Sequence, residues 1–338
     1  MSQINRQWLL KRRPQGMVSL EDFEYRETPL PVPDLAAGEL LVKNLYLSFD
    51  PAMRGWMDDA PSYLPPVALG EPMRATAIGQ VIQSANPDIP VDTLVQGFFG
   101  WQEYAISGPT DLIPATPLPE GAPPTMVLSV FGGTSLTAYF GLLHVGQPKA
   151  GDTVLVSGAA GATGSVVAQI ARIKGCRVIA IAGGEDKCQW LKNDCLVDEV
   201  IDYKNQNVEQ RLAQLCPDGI DVFFDNVGGS ILEAGIEHIA EKGRIVLCGQ
   251  ISAYNDNEPQ PGPRNLMHLI TRRARMEGFI MIDFMEHIGD ATTDLGSWVM
   301  EGKIAHREDI QEGFENIPAT FFRLFQGKNT GKQLLKLV

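Results

Sequence analysis

Three glycines, Gly158, Gly161 and Gly164, lie between the apolar run Val154-Leu155-Val156 and a helical stretch opened by Ser165-Val166-Val167. Glycine permits a tight turn and lets backbone N–H groups approach a pyrophosphate, whose charge the N-terminus of the following helix also stabilises. The spacing is G-x-x-G-x-x-G, with Ala162 and Thr163 inside it, and differs from the standard G-x-G-x-x-G. Its weight therefore comes from placement in a strand, turn and helix more than from the bare pattern. An ordinary Gly-rich βα turn is the alternative reading.

Cofactor choice in such a unit is made at the end of the second strand, where an Asp or Glu accepts hydrogen bonds from the adenosine ribose of NAD. Here the strand ends in Ala182-Gly183-Gly184, Glu185 comes slightly late, and Lys187 stands at the start of the next helix, in a position to meet a 2′-phosphate. Tyr203 and Lys204, after the third strand, could flank the same phosphate. NADPH is the expected cofactor, and a solvated lysine on a helix face is the other reading of Lys187.

No metal centre is expected. The five cysteines, Cys176, Cys188, Cys195, Cys216 and Cys248, have no C-x-x-C spacing, and the first domain contains none of them. They read as reduced thiols of a cytoplasmic protein. His144, His238, His268, His287 and His306 are scattered, without H-x-x-x-H spacing.

The elements that must position these residues fall into two rhythms. Up to about Pro124, β-branched and aromatic runs (Glu39 to Phe49, Arg74 to Ser84, Thr93 to Ser107) alternate with Pro- and Gly-rich turns and read as a barrel-like antiparallel domain. Prolines 114, 117, 119, 123 and 124 mark a connector, since proline neither donates to a ladder nor continues a helix. Beyond it, strands at Thr153 to Ser157, Arg177 to Ala182, Glu199 to Asp202, Asp221 to Phe224 and Arg244 to Cys248 alternate with helices, which predicts a doubly wound parallel sheet. Met276 to Ile282 reads as a sixth strand, and the segment ending in Leu334 to Val338 could rejoin the first domain. The expected domains are 1–125, 126–300 and a returning segment 301–338. At 338 residues two cores are favoured over one. The net charge of −13, with no compensating basic run, argues against nucleic acid or anionic membranes as partners, and no stretch has secretory-signal or membrane-spanning character.

Several unlinked motifs in order, Leu47-Ser48-Phe49-Asp50-Pro51-Ala52-Met53-Arg54-Gly55, Gly100-Trp101-Gln102-Glu103-Tyr104, the glycine turn, Asp225-Asn226-Val227-Gly228-Gly229 and Cys248-Gly249-Gln250-Ile251-Ser252-Ala253-Tyr254-Asn255, span essentially the whole chain. Together they resemble the zinc-independent medium-chain reductases, in the branch of leukotriene dehydrogenase, prostaglandin reductase, bacterial curcumin reductase and plant double-bond reductases. The resemblance implies a Rossmann domain inserted into a GroES-like β-rich catalytic domain, with NADPH between them and hydride delivered to the β-carbon of an α,β-unsaturated ketone or aldehyde. It also implies a homodimer. It makes Lys187 and Tyr203 adenosine-phosphate contacts and places Asn226 and the Gly249 region, with Ile251, near the nicotinamide. Gly183, Tyr254 and Phe279 join them as cofactor contacts, and Asn329, in Gly327-Lys328-Asn329-Thr330-Gly331-Lys332, resembles the family's C-terminal contact. The family commonly has Tyr where this chain has Ala52, which leaves the shape of the substrate pocket open.

Hydride addition to an enone sends negative charge to the carbonyl oxygen, where a preorganised O–H donor lowers the barrier. A tyrosine, with an ordinary pKa of about 10, stays protonated at neutral pH and suits that role. Tyr254, in the loop after the fifth strand, is the first candidate and Tyr63, in the loop from Asp58 to Pro66, the second. Either could instead be a pocket wall, leaving the proton to a cofactor hydroxyl or water. Trp56, Trp101, Phe279 and Met281 are candidates for an apolar lining, with Ala52 beside the substrate. Quinone reduction is a competing activity, and a non-catalytic NADPH-binding sensor or scaffold is a competing class.

Overall fold

The computed structural model describes residues 4–30, 34–258 and 260–337. The chain opens with an antiparallel pair, β1 (Ile4–Leu10) and β2 (Phe23–Pro29), in which Trp8 faces Tyr25. There follow β3 (Leu40–Phe49), β4 (Thr76–Ser84), β5 (Leu94–Phe98), β6 (Tyr104–Ser107) and β7 (Thr116–Pro117). A short helix, α1 (Pro124–Leu128), starts inside the proline-rich connector, with proline at its first position, where a missing N–H costs nothing.

The inserted unit, Ser129–Arg307, begins with α2 (Gly133–Phe140) and a π-helical turn, Gly141–Gly146. Strand and helix then alternate through β8 (Thr153–Val156), α3 (Ala162–Ile173), β9 (Arg177–Ala182), α4 (Glu185–Asn193), β10 (Glu199–Asp202), α5 (Val208–Leu215), β11 (Ile220–Asp225), α6 (Gly229–Glu237) and β12 (Ile239–Leu247). The unit closes with α7 (Met267–Thr271), β13 (Arg275–Gly278) and α8 (Ile288–Met300). Its six strands are parallel in the order β10-β9-β8-β11-β12-β13. This is the doubly wound Rossmann arrangement, with its topological switch between β8 and β11, the place where ligands bind in open α/β sheets. Burial on both faces explains the uninterrupted apolar strands: five of the six residues of β9 are buried. Val166, Val167 and Ile170 of α3 are buried in the same unit, as their spacing predicts.

The chain then returns to its first unit as β14 (Glu308–Glu312), α9 (Ile317–Phe325) and β15 (Lys332–Lys336). The larger sheet of that unit runs β14-β15-β3-β4-β5-β7, with β6 also paired to β3. β15 lies antiparallel to β3, Gln333 opposite Phe49 and Lys336 opposite Tyr46. Phe49, Phe99, Trp101, Phe314 and Phe321 fill its core.

Two expected elements differ. The run from Thr93 to Ser107 divides into β5 and β6 around Gly100, whose φ of 71° breaks the strand. The sixth strand stops at Gly278, so Phe279 lies just past its C-terminal end and Met281 opens a 3-10 turn, Met281–His287. Among the described residues no helix is long and apolar enough to cross a membrane.

Candidate active site

The glycine turn sits at the C-terminal end of β8. Gly158 adopts φ 57°, in the left-handed region, and its carbonyl accepts the Gly161 N–H at 3.0 Å. A β-carbon on Gly164 would lie 2.5 Å from the Gly158 oxygen and 2.7 Å from the Ala159 Cα, so the helix can close onto the turn only with glycine there. Gly161 is the N-cap of α3 and brings no side chain to cap it. The N–H groups of Ala162, Thr163 and Gly164 are those that the first turn of any helix leaves for an outside acceptor. A cradle of this kind, backbone donors at a helix N-terminus with no side chain in the way, fits a pyrophosphate.

Asp225, at the end of the neighbouring strand β11, organises the next layer. It is 0% exposed and accepts hydrogen bonds from Ser157 Oγ (2.5 Å), Val227 N–H (3.1 Å) and Gly228 N–H (2.9 Å). Burial pushes its pKa up, opposed by those three donors. The Ser157 hydroxyl accepts the Asn226 N–H at 2.8 Å, and the Asn226 side-chain amide donates to the Ser157 carbonyl at 2.7 Å. Asn226 is thus fixed against the glycine turn. From it the loop after β12 is tied down: Ile251 N–H donates to the Asn226 carbonyl and Ser252 N–H to that of Val227. Asp225 opens a motif already visible in the sequence, but its pairing with Ser157 escapes a reading of the residues because the two meet only where β8 and β11 are adjacent.

Tyr254 belongs to this cluster. Its hydroxyl accepts the Gln250 N–H at 3.2 Å and packs over Gly249, 2.8 Å from where a β-carbon would project. Gly158, Asn226, Gly249 and Tyr254 therefore form one continuous patch beyond the ends of β8, β11 and β12.

A second patch lies past β9 and β10. The Tyr203 ring packs on Gly183, and Lys187 is half-buried in the first turn of α4. Asp202, which the sequence did not single out, clamps the turn by accepting the N–H groups of Gly184 (2.9 Å) and Lys204 (3.1 Å) and the Asn205 amide (2.7 Å). The Gly184 N–H, followed by its other donors, holds its carboxyl below the ordinary range. Asp202 is therefore engaged with backbone rather than presented to a ribose.

Phe279 packs its ring edge on Gly141 and lies 6.3 Å from Phe224, centroid to centroid. Met281 is half-buried near Gly133. The free thiols are poor nucleophiles: burial pushes Cys176 and Cys216 up to about 11 and Cys195 and Cys248 up to about 12. Among the described residues no group of three or more His, Cys, Asp or Glu is placed to hold a metal ion.

In the β-rich unit, Ala52 and Trp56 lie on a 3-10 turn, Pro51–Met57, that follows β3. Trp56 is 8% exposed, tilts against Phe98 at 6.0 Å and donates its indole N–H to the Tyr63 hydroxyl at 3.2 Å. Ala52 packs partly buried on the same core. Trp101, expected in the apolar lining, is instead 0% exposed among Phe23, Phe49 and Phe321, so it is core. The structure places Asn329 between α9 and β15, its amide donating to the Gly331 carbonyl at 3.2 Å.

Residues 6–115 match the family described as N-terminal domain of oxidoreductase, and residues 162–295 the family described as zinc-binding dehydrogenase. The NADPH-dependent curcumin reductase of Escherichia coli K12 is 40% identical over 99% of this chain and 97% of its own. The chain belongs to the medium-chain dehydrogenase/reductases, in their zinc-independent branch. Within this medium-chain family, the NADP(+)-dependent 2-alkenal reductase of Nicotiana tabacum is 37% identical over 98% of this chain and 97% of its own. The crystal structure of CurA in complex with NADPH from Vibrio vulnificus is 42% identical, covers 98% of this chain and 99% of its own, and superposes with a TM-score of 0.90. The medium-chain assignment agrees with the oxidoreductase description of the first domain and with the strand order of the inserted unit.

Proposed function

We propose that the protein reduces the carbon–carbon double bond of α,β-unsaturated ketones or aldehydes with NADPH. The observation that carries this reading is the patch running from the Gly158–Gly164 cradle through Asn226 and Gly249 to the Tyr254 hydroxyl, supported by relatives named as curcumin and 2-alkenal reductases. Bound NADPH supplies the hydride. The backbone N–H groups of Ala162, Thr163 and Gly164 hold its pyrophosphate, Lys187 and Tyr203 flank its adenosine phosphate on either side of Gly183, and Asn226, Gly249, Ile251 and Phe279 shape the surface for its nicotinamide. Asn329 is a further cofactor contact.

The Tyr254 oxygen accepts the Gln250 N–H, which holds the hydroxyl at the end of this patch. There it donates to the carbonyl oxygen on which negative charge accumulates, with no step that calls on a metal. Tyr63 is the second such donor, with Ala52, Trp56 and Met281 as apolar surface for the substrate. The domains of this reading are the β-rich substrate domain and the nucleotide domain inserted into it. We also propose a homodimer, consistent with the exposed apolar side chains Leu266, Met267, Ile270, Ile282 and Met285 in the stretch around edge strand β13. Sedimentation equilibrium should give about twice the 36.9 kDa chain mass, and a monomer would remove this part.

Cofactor oxidation followed spectrophotometrically against an alkenal, an aryl enone and a benzoquinone tests the activity. Selective turnover of the enones with NADPH is expected. A ten-fold or greater preference for the quinone would assign the protein to quinone reduction, and cofactor binding without any turnover would favour a sensor. In the same assay Lys187→Ala should raise KM for NADPH about ten-fold or more, with little change for NADH, since a charge-assisted contact to phosphate contributes about 1.5–3 kcal/mol. Equal losses for both cofactors would remove Lys187 from the phosphate site.

A further inference from the structure

Among the described residues no carboxylate is ion-paired with the Arg74 guanidinium. It lies just before β4, half-buried, and among the described residues its hydrogen bond is from Nη1 to the Pro65 carbonyl at 2.9 Å. Its Cζ stands 5.7 Å from the centre of the Trp56 ring, whose indole N–H in turn holds the Tyr63 hydroxyl. Burial lowers its pKa, countered only by Tyr63, and no carboxylate among the described residues contributes. The contrast with the buried Arg54 of the same unit is direct, since that residue is ion-paired with Asp58 at 2.7 Å. An unpaired charge brought partly out of water is costly, and in a chain with 41 acidic residues a partner for it would be easy to supply.

Arginine presents five N–H donors in a planar fork that matches a carboxylate. Pro65 uses one of them and the indole face supports the plane, so the remaining donors are open to an acidic ligand beside Trp56 and Tyr63. We propose that Arg74 is the anion-recognition residue of the substrate site, seating a carboxylate carried by the enone. This rests on the reading of Trp56 and Tyr63 as substrate-lining. It makes the preferred substrates acid-bearing enones, and thus places the enzyme after reactions that leave an unsaturated ketone or aldehyde on an organic acid.

The test compares an aliphatic enone ending in a carboxylate with the methyl ester of the same compound, using NADPH and the full chain. The ratio of kcat/KM, acid over ester, should be about ten or more in the wild type and fall to about one in Arg74→Gln. Arg74→Lys should restore part of the ratio, because the ammonium keeps the charge without the fork. A wild-type ratio near one, or a ratio unaltered by the substitution, overturns the proposal, whatever the absolute rates. An arginine that only staples the loop through Pro65 would change both substrates alike and leave the ratio intact. Calorimetric titration of the cofactor-loaded protein with the saturated keto acid and its ester reads the same preference without turnover. If neither enone is reduced, the double-bond reading fails, while the titration still decides whether Arg74 selects the carboxylate.

Discussion

Gly164→Ala is expected to weaken NADPH binding about 10- to 100-fold while Gly161→Ala costs far less. The difference follows from what a methyl group would meet. At position 164 it presses on the Gly158 oxygen at 2.5 Å and the Ala159 Cα at 2.7 Å, both backbone atoms of the turn proposed to cradle the pyrophosphate. At position 161 its nearest contact is 3.3 Å, which a small shift relieves. Forcing a methyl group into a closed site costs about 1–3 kcal/mol, and here the strain falls on the N–H groups that would bind. Titration calorimetry with NADPH checks it, alongside thermal melting to register any loss of fold. Equal affinities for wild type and Gly164→Ala would mean that the turn is not the cofactor cradle.

Tyr254→Phe should lower kcat by about 100- to 1,000-fold, the usual loss when one preorganised donor to a developing oxyanion is removed. NADPH affinity should change little, because the ring still packs over Gly249. The Gln250 N–H loses its acceptor at 3.2 Å but is exposed to water, so a loss of stability below about 1 kcal/mol is expected beside the kinetic effect. Steady-state and single-turnover rates with an aryl enone separate the two. If single-turnover rates are unchanged, Tyr254 is a wall, and the same experiment on Tyr63→Phe becomes the decisive one.

Much of this site was legible in the residues because it is made by local sequence. Strand, glycine turn and helix are contiguous, so the cradle from Gly158 to Gly164 could be placed on β8 and α3 before any coordinates. The same holds for Lys187 at the start of α4. What could not be read depends on adjacency in the sheet. Asp225 and Ser157 are 68 residues apart and become a hydrogen-bonded pair only because β11 lies beside β8. Asp202 read as an unremarkable strand end, yet it holds the turn from Gly183 to Gly184 through backbone N–H groups. Trp101 shows the converse difficulty, since a large aromatic beside a glycine suits a pocket or a core equally until its neighbours are known. The π-helical turn Gly141–Gly146 left no signal in the apolar periodicity, which is blind to one extra residue per turn.

The pairing of β15 with β3 sets the order of assembly. Lys332, 4% exposed and ion-paired with Asp50, joins positions 282 residues apart. During synthesis the nucleotide-binding unit can therefore finish its sheet while β3 still presents an open edge, awaiting β15, which is made later. Such late, long-range closure makes the β-rich unit the slow-folding and aggregation-exposed half of the protein, and the half that a C-terminal truncation would lose first.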